Sequence, residues 1–431
     1  MNYTLFISCP KGLEYLLGDE VKSLGLSVSR ISPQGVFGQA DLTTLYQLCL
    51  WSRIANRVQL ILFSGEAHNP QILQQLCQQF PWQTVFSADK RIAIEFHGSS
   101  RHFRNAMFGA QVVKDGIVDH FRQLKQNRPD VDKKNPQIRL HAHLDKDEIT
   151  VSLDLTGYSL HQRGYRLKTG GAPLKENLAA AMLIRAGWPE LAKKGYGLTD
   201  PFCGSGTLVI EAAMMAANIA PGILRDDQAF SFWTQHQSGL WNKLKQQALQ
   251  QIRPINLSLS GSDQDAQVIR IAKENAARAG VGKLIQFSMQ SLSALSPCAE
   301  KGLLITNPPY GERMGEINPL IPLYQQLGQC LYERFQGWEA AVLTSNTLLA
   351  KAIGLRSNKQ YSFYNGPIAC KLYCITLDSH NRYKAAAEQS HSASSALRNR
   401  LQKNWQHLQK WASRNQIHAF RLYDADLPDY A

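Results

Sequence analysis

Short apolar segments alternate with helical patterns from residue 196 to residue 378, and this alternation constrains the fold more than any other feature. Strands joined by helices of this length run parallel and form one sheet with helices on both faces. The last two apolar segments, 360–365 and 372–378, have no helix between them, so we expect an antiparallel edge hairpin. The sequence therefore predicts a doubly wound α/β sheet whose ligands bind at the carboxyl ends of its strands.

Two smaller α+β units are predicted before this sheet. The first follows the order β-α-β-β-α, with residues 42–58 as one helix, and the second ends in a hairpin of 137–144 and 148–157. The predicted organisation is an N-terminal α+β unit (1–60), a second α+β unit (61–160), the α/β domain (161–380) with a helical insertion (215–255), a polar linker (381–396) and a C-terminal helical segment (397–431).

The composition is that of a globular chain, with 44% hydrophobic and 19% charged residues. No apolar run approaches the length that spans a bilayer, and the first residues lack the order of a signal peptide, so we expect no membrane partner and a cytoplasmic location. The eight cysteines form no CxxC pair and no zinc-finger spacing, so neither a disulfide framework nor a structural metal is expected.

The net charge of +13 makes a polyanionic partner plausible, because basic side chains that neutralise phosphates release counterions. Basic residues cluster between 101 and 144, with nine Lys or Arg against four Asp, and Arg101, Arg104 and Lys114 are candidate RNA contacts. In the later segment 161–178, the candidates for phosphate contact are Arg163, Arg166, Lys168 and Lys175. Two other interpretations of that segment stay open: Lys175 and Asn177 line a ligand pocket, or the segment is a solvated linker.

The stretch DPFCGSGT, residues 200–207, joins the first strand of the predicted sheet to the next helix. Gly204 and Gly206 allow a ligand to approach the backbone closely. Neither a Walker lysine nor the third glycine of a dinucleotide site is present, and Asp200 would repel a pyrophosphate. A carboxylate at this position suits a cation, such as the sulfonium and amino groups of S-adenosylmethionine. The alternative is a glycine turn that serves only the strand-helix corner.

A second pair of carboxylates, Asp263 and Asp265, follows the next strand. A carboxylate at this edge can accept hydrogen bonds from both hydroxyls of a ribose, and one just before a helix can cap it. We assign the ribose to Asp263 and the helix cap to Asp265.

The stretch ITNPPYGER, residues 305–313, ends a strand predicted to lie next to the first one. The Asn307 side chain and the Pro308 carbonyl are two rigid acceptors, which match the two hydrogens of an exocyclic amine on a nucleobase. Tyr310 offers a flat face on which an extruded base can stack. These residues predict amine methylation of a base, either adenine or guanine, against the alternative of a proline-stiffened turn.

Together these motifs resemble the amino-group methyltransferases that depend on S-adenosylmethionine and have a Rossmann-like seven-stranded sheet. The N-terminal stretches FISCPKGLEYLLGDEVKSLG, LWSRIANRV, RNAMFGAQVVKDGIVDHF and LDLTGYSLHQRGYR extend the resemblance to a particular family. That family is RlmL, the 23S ribosomal RNA (guanine-2445-N2)-methyltransferases, whose N-terminal region is ferredoxin-like and carries a THUMP RNA-binding domain.

The resemblance implies S-adenosylmethionine as cofactor and ribosomal RNA of the large subunit as partner. It implies that the methyl donor contacts Asp200, Cys203, Gly204, Gly206, Thr207 and Asp263, and that Asn307, Pro308 and Tyr310 hold the guanine amine. Ser291 stands where the family often has an acidic residue near the adenine of the donor. Residues 397–431 resemble the start of a second methyltransferase that is fused to this half in many relatives.

Guanine-N2 methylation of large-subunit RNA is therefore the leading hypothesis. Adenine-N6 methylation of DNA is the first alternative, since the NPPY corner suits either amine. A non-catalytic protein that binds RNA or assists ribosome assembly is the second.

Overall fold

A computed structural model describes residues 2–166, 174–225, 229–311, 317–378, 380–381, 393–415 and 417. The chain divides into two compact units, Met1–Asn381 and Arg382–Ala431. The first unit contains two seven-stranded sheets, as expected for a chain of α+β units followed by an α/β domain. Among the described residues, no helix combines the length and the apolarity needed to cross a membrane.

The first sheet is continuous across both N-terminal units, in the order β2-β3-β1-β4-β7-β6-β5. Its neighbouring strands are antiparallel except for the parallel pair β5 and β6. The strands are β1 (Tyr3–Ser8), β2 (Ser27–Ser32), β3 (Gly35–Ala40), β4 (Arg57–Glu66), β5 (Ile92–His97), β6 (Ile138–Asp145) and β7 (Glu148–Asp154). The predicted hairpin of β6 and β7 is confirmed.

Four helices pack with this sheet: α1 (Glu14–Ser23), α2 (Leu42–Trp51), α3 (Pro70–Gln79) and α4 (Ala106–Gln123). Three of them begin at a side chain that accepts a hydrogen bond from a free backbone N–H of the first turn. The capping residues are Asp41 for α2, Asn69 for α3 and Asn105 for α4. These caps set the first residue of each of the three helices.

The prediction of one helix over residues 42–58 is wrong, because α2 ends at Trp51 and Arg57 begins β4. Glu20 of α1 causes the break. Its carboxylate accepts hydrogen bonds from the backbone N–H of Arg53 at 2.8 Å and from the Ser52 hydroxyl at 2.5 Å. The helix can therefore end here, because the Ser52 hydroxyl and the Arg53 N–H keep hydrogen-bond partners. Strand β4 then pairs with β1 and β7 and so joins the two N-terminal units.

The second sheet confirms the predicted doubly wound fold, with the strand order β10-β9-β8-β11-β12-β14-β13. The five strands β10, β9, β8, β11 and β12 run parallel to one another. Strand β14 is antiparallel to both β12 and β13, as the absence of a helix between β13 and β14 predicts. The strands are β8 (Gly197–Asp200), β9 (Leu259–Asp263), β10 (Ile285–Met289), β11 (Gly302–Thr306), β12 (Glu339–Thr344), β13 (Lys359–Asn365) and β14 (Ile368–Thr376). The predicted adjacency of β8 and β11 is also confirmed.

The helices around the second sheet are α5 (Glu176–Arg185), α6 (Trp188–Lys193), α7 (Thr207–Ala216), α8 (Ser238–Gln250), α9 (Ala266–Arg278), α10 (Ile321–Arg334) and α11 (Thr347–Ala352). Helix α8 belongs to the predicted insertion, which packs on the N-terminal half through aromatic contacts. The Tyr46 ring lies 4.9 Å from Phe230 and 5.7 Å from Trp241, and its hydroxyl hydrogen-bonds to His236. The insertion thus serves the contact between the two sheets.

The second unit contains one described helix, α12 (Ala393–Arg414). It begins inside the segment predicted as a linker and includes part of the predicted C-terminal helical segment. Most of the linker and the last residues of the chain lie outside the described residues.

Candidate functional site

A cavity of about 880 Å³ opens at the carboxyl ends of β8, β9 and β11. The parallel arrangement of these strands brings the loops that follow them to one edge of the sheet. Its described lining includes parts of all three predicted motifs: Asp200, Cys203, Gly204, Thr207, Asp263, Asn307, Pro308 and Tyr310, together with Leu174, Gln290, Leu292 and Asn365. The structure therefore brings together residues that are more than one hundred positions apart in the sequence.

The loop after β8 is held in place by backbone hydrogen bonds to β9. Gly204 N–H donates to the Asp263 carboxylate at 3.1 Å, and Cys203 N–H donates to the Ser262 carbonyl at 2.9 Å. Gly204 has a φ of +51° with open space where a Cβ would lie, so a ligand can reach the backbone there. Gly206, with φ +86°, is the N-cap of α7 and does not line the cavity.

The Asp200 carboxylate lies almost fully buried under this loop. It accepts hydrogen bonds from Thr306 Oγ1 at 2.7 Å and from the backbone N–H of Phe202 at 3.1 Å. Burial nevertheless raises the pKa of Asp200 to about 7, and the negative charge of Asp263 adds to the increase. A cation bound in the cavity would lower the pKa of Asp200 again, so the site favours a positively charged ligand.

Asp263 and Asp265 follow one another at the end of β9, and both line the cavity. Asp265 is the N-cap of α9, because its side chain accepts from the Gln267 N–H at 2.7 Å, and this confirms the predicted cap. Asp263 lines the cavity while it also accepts from the N–H of Asp265 at 3.1 Å. Its orientation is thus fixed by the backbone on both sides.

Cys203 lines the cavity as a neutral thiol. Burial raises its pKa well above the ordinary value, and the carboxylates of Asp200 and Asp263 raise it further. A thiol in this state is a poor nucleophile. The residue is therefore suited to packing in the loop and not to covalent catalysis.

Asn307 directly follows β11 and lies beside the Asp200 loop. Its Oδ1 atom is buried and has no hydrogen-bond partner among the described residues. The Pro308 carbonyl likewise accepts no hydrogen bond from the described part of the chain. An unpaired buried acceptor is costly, so Asn307 Oδ1 beside the cavity indicates that a ligand with hydrogen-bond donors completes the site.

Tyr310 forms the wall of the cavity next to these acceptors. Its hydroxyl accepts a hydrogen bond at 2.9 Å from Nδ2 of Asn365, the last residue of β13. Asn365 was not predicted as a site residue, because an Asn before Gly between two strands looks like an ordinary turn residue. Strand β13 runs in the same direction as β12, so its last residue lies at the cavity edge of the sheet.

Arg163 is not a phosphate contact in this structure, and that prediction is wrong. The side chain is 1% exposed and donates to the carbonyls of Leu160 and Arg53, at 2.7 and 2.6 Å. Its Nε lies 3.5 Å from the fully buried Glu211. Arg163 therefore joins the N-terminal half to α7 instead of facing RNA.

Arg166 is likewise occupied by the protein. Its guanidinium donates to Thr207 Oγ1 and to the Leu174 carbonyl, and it pairs with Glu176 at 3.2 Å. The side chain is mostly buried, so its predicted phosphate contact is also wrong. It supports the first turn of α7 at the cavity.

Three further predicted ligand contacts are absent from the described lining of the cavity. Asn177 is fully buried and donates to Asn56 and to the Ile54 carbonyl, which corrects its placement in the donor pocket. Ser291 is exposed and pairs with Ser293, while its neighbours Gln290 and Leu292 line the cavity. Lys175 is an exposed residue at the start of α5 and is absent from the described lining. Lys168 lies outside the described residues.

The basic candidates of the second α+β unit are at least partly accessible. Arg101 and Arg104 are exposed in the segment before α4, and the half-buried Lys114 pairs with Asp115 at 2.7 Å. The exposed apolar side chains of Met107 and Phe108 follow directly. This segment is a candidate surface for a nucleic-acid strand, since it combines cations with an exposed aromatic ring.

Within the described residues, possible metal ligands converge at Glu95, His97 and His141, whose ligand atoms all lie within 4.8 Å of one another. The cluster is on the first sheet and is not part of the cavity. Glu95 is already paired with Arg139, so the carboxylate has a cationic partner of its own.

The fold and the cavity define an α/β methyltransferase-like protein with an N-terminal RNA-binding region, and comparisons identify its family. Residues 4–59 match the RlmL ferredoxin-like domain, residues 67–154 the THUMP domain, and residues 163–374 the RMKL-like methyltransferase domain. The chain belongs to this family of S-adenosylmethionine-dependent methyltransferases.

Similar proteins agree with this assignment. The chain is 63% identical to the ribosomal RNA large subunit methyltransferase K/L of Legionella pneumophila (strain Lens), with 100% of this chain and 61% of the relative covered. The chain thus spans about three fifths of the length of that relative.

Two solved structures resemble the chain over most of its length. SMU.472, a methyltransferase by its description and solved with SAH, is 28% identical, with a TM-score of 0.79 and coverage of 88% of this chain and 98% of that one. A Listeria monocytogenes protein, described as a predicted N6-adenine-specific DNA methylase, is 30% identical, with a TM-score of 0.77 and coverage of 88% and 97%.

Proposed function

We propose that this chain methylates the exocyclic N2 amine of a guanine in 23S ribosomal RNA, with S-adenosylmethionine as donor. The observation that carries the proposal is the buried, unpaired Oδ1 of Asn307 beside the Asp200 loop. The Legionella relative is named for large-subunit ribosomal RNA, which supports this substrate. The proposed position, 2445, comes from the resemblance to the RlmL family alone. The reaction would take place in the cytoplasm, where ribosomes assemble.

The residues around the cavity fit the donor in charge and shape. Asp200 supplies a carboxylate for its cationic end, Asp263 a carboxylate for its ribose, and Gly204 a backbone surface without a side chain. When bound, S-adenosylmethionine supplies an activated methyl group. The other proposed members of the donor set, Cys203, Gly206 and Thr207, shape the loop and the start of α7.

The protein's own contribution to the transfer is positioning. Asn307 Oδ1 and the Pro308 carbonyl accept the two hydrogens of the amine, which turns the nitrogen lone pair out of the plane of the base. Tyr310 supports the base from one face. Holding the amine and the donor in one geometry lowers the entropic part of the barrier, and no covalent enzyme intermediate is required.

Adenine-N6 methylation is the second candidate, favoured by the description of the Listeria monocytogenes structure. Purified protein should be incubated with large-subunit ribosomal RNA and, separately, with duplex DNA, each with labelled donor. Our proposal predicts transfer to RNA and little to DNA. Faster transfer to duplex DNA would favour the second candidate, and failure to bind the donor would favour a non-catalytic RNA-binding protein.

Donor affinity is expected to rise with pH between 5 and 7. Asp200 has a pKa of about 7 in the free protein, so below that value it must lose a proton before it can attract a cation. The increase should approach about tenfold per pH unit at the acidic end, while the donor's amino group stays protonated. Calorimetric titration at several pH values measures it.

The Asp200→Asn variant supplies the control for this pH dependence. It should bind the donor more weakly and with little change over the same pH range. An equally steep profile in the variant would show that another group is responsible.

RNA affinity should fall in the Arg104→Ala variant, and the salt dependence should become shallower by about one unit of slope for each lost phosphate contact. Filter binding with large-subunit RNA at several salt concentrations measures both quantities. Lys193→Ala is a matched control, because Lys193 is an exposed cation that pairs with Glu190 on α6. Equal losses of RNA affinity in both variants would show that net charge alone, and not a contact at Arg104, determines the binding.

A further inference from the structure

Asn365 connects the NPPY corner to the hairpin of β13 and β14. The hairpin register places Asn365 opposite Ile368, with Cys370 two residues further along β14. Asn365 and Tyr310 both line the cavity, and their side chains are hydrogen-bonded to each other at 2.9 Å. The residue is therefore part of the site in which the proposed target base would lie.

A hydrogen bond to Tyr310 orients the Asn365 amide. The Tyr310 oxygen accepts from Asn365 Nδ2 at 2.9 Å, so the amino group of the amide is directed at the tyrosine. On β14, the Cys370 thiol donates to the Ile368 carbonyl.

This orientation turns the Oδ1 atom of Asn365 away from Tyr310. In the described part of the chain Oδ1 accepts no hydrogen bond from another residue, although Asn365 lies at the cavity. Asn365 therefore offers a further acceptor on the lining of the cavity to which Asn307 and Pro308 also belong.

Guanine and adenine differ at the position next to the amine. Guanine N1 carries a hydrogen and lies beside the N2 amine, whereas adenine N1 is an acceptor beside the N6 amine. An amide oxygen therefore hydrogen-bonds to the guanine edge and repels the adenine edge. The NPPY acceptors cannot make this distinction, because both bases offer them an NH₂ group.

We propose that Asn365 is a specificity-determining residue whose Oδ1 accepts a hydrogen bond from N1–H of the target guanine. This inference rests on the proposed function and deepens it. Asn365 then has two roles: its amino group anchors Tyr310, and its oxygen selects the base stacked on that ring. A site built to bond a particular donor discriminates strongly against an analogue that lacks it, because the buried acceptor is left unpaired.

The test compares large-subunit RNA carrying guanine at the target position with the same RNA carrying 2,6-diaminopurine there. Both bases have the 2-amine that would be methylated, but 2,6-diaminopurine has no hydrogen on N1. Wild-type protein should prefer guanine by about tenfold or more in kcat/KM. In Asn365→Ala the preference should fall to within about threefold, since only guanine loses a hydrogen bond.

The Asn365→Asp and Tyr310→Phe variants distinguish base recognition from the anchoring of Tyr310. The aspartate keeps an acceptor and should retain the preference for guanine, although it loses the amino group that anchors Tyr310. Tyr310→Phe releases the Asn365 amide, which can then turn its amino group toward the base, so the preference for guanine should fall together with kcat/KM. An unchanged preference in a folded Asn365→Ala variant, verified by its melting curve, would overturn the inference. Wild-type protein that methylates no guanine N2 would instead overturn the proposed function on which it rests.

Discussion

Replacing Asn307 by alanine should leave donor affinity within about threefold of wild type while kcat falls about 100-fold or more. Removing one preorganised hydrogen-bonding group from a transition-state site typically costs this much. Asn307 Oδ1 is buried at the proposed amine position, whereas the expected donor contacts are on the loop after β8. Calorimetry with the donor and single-turnover methylation of RNA measure the two effects separately.

Asn346→Ala is a matched control for this variant. Asn346 follows β12 as Asn307 follows β11, but its side chain caps α11 by accepting from the Leu348 N–H at 2.8 Å. Its loss should lower stability by about 1 kcal/mol and leave kcat unchanged. Full turnover in Asn307→Ala would remove Asn307 from the amine site.

Replacing Arg163 by alanine should destabilise the protein by about 3–5 kcal/mol, because it leaves the buried Glu211 without its cationic partner. Two backbone carbonyls, those of Leu160 and Arg53, lose their donors in the same change. Urea unfolding followed by tryptophan fluorescence measures the loss as a lower midpoint.

Unfolding and RNA-binding measurements on two arginine variants distinguish a structural role from a contact with RNA. Arg104→Ala should leave the unfolding midpoint close to that of wild type, since Arg104 is exposed. Arg163→Ala should retain RNA affinity under conditions in which it is folded. A stable Arg163→Ala variant with weak RNA binding would restore the role predicted for Arg163 from the sequence.

Local sequence patterns predict the second sheet, because its strands, helices, hairpin and caps are each specified by residues close together in the sequence. The alternation of strands and helices, the hairpin of β13 and β14, and the cap at Asp265 are all confirmed. The end of α2 could not be predicted in this way. It depends on Glu20, about thirty residues earlier in the chain, whose carboxylate accepts the N–H of Arg53.

In the functional site, too, local motifs predict some residues, whereas the positions of others depend on contacts that are distant in the sequence. Motifs after β8, β9 and β11 were found because strand ends meet at one edge of a parallel sheet. Asn365 was missed because the Asn-Gly pair resembles an ordinary turn, and its place at this edge depends on β13 running in the same direction as β12, with the antiparallel β14 between them. The phosphate contacts predicted for the basic segment after residue 160 were wrong, because the charge pattern suits RNA but does not reveal partners elsewhere in the chain. The partners of Arg163 and Arg166 are buried carboxylates, Glu211 and Glu176.

The most direct test of the account is to map the modified nucleoside. The protein is incubated with unmodified large-subunit ribosomal RNA and labelled S-adenosylmethionine, and the RNA is then digested and analysed by mass spectrometry. We predict one labelled nucleoside, N2-methylguanosine, at a single position and absent with Asn307→Ala. Label in N6-methyladenosine, or no label although the protein binds the donor, would contradict the account.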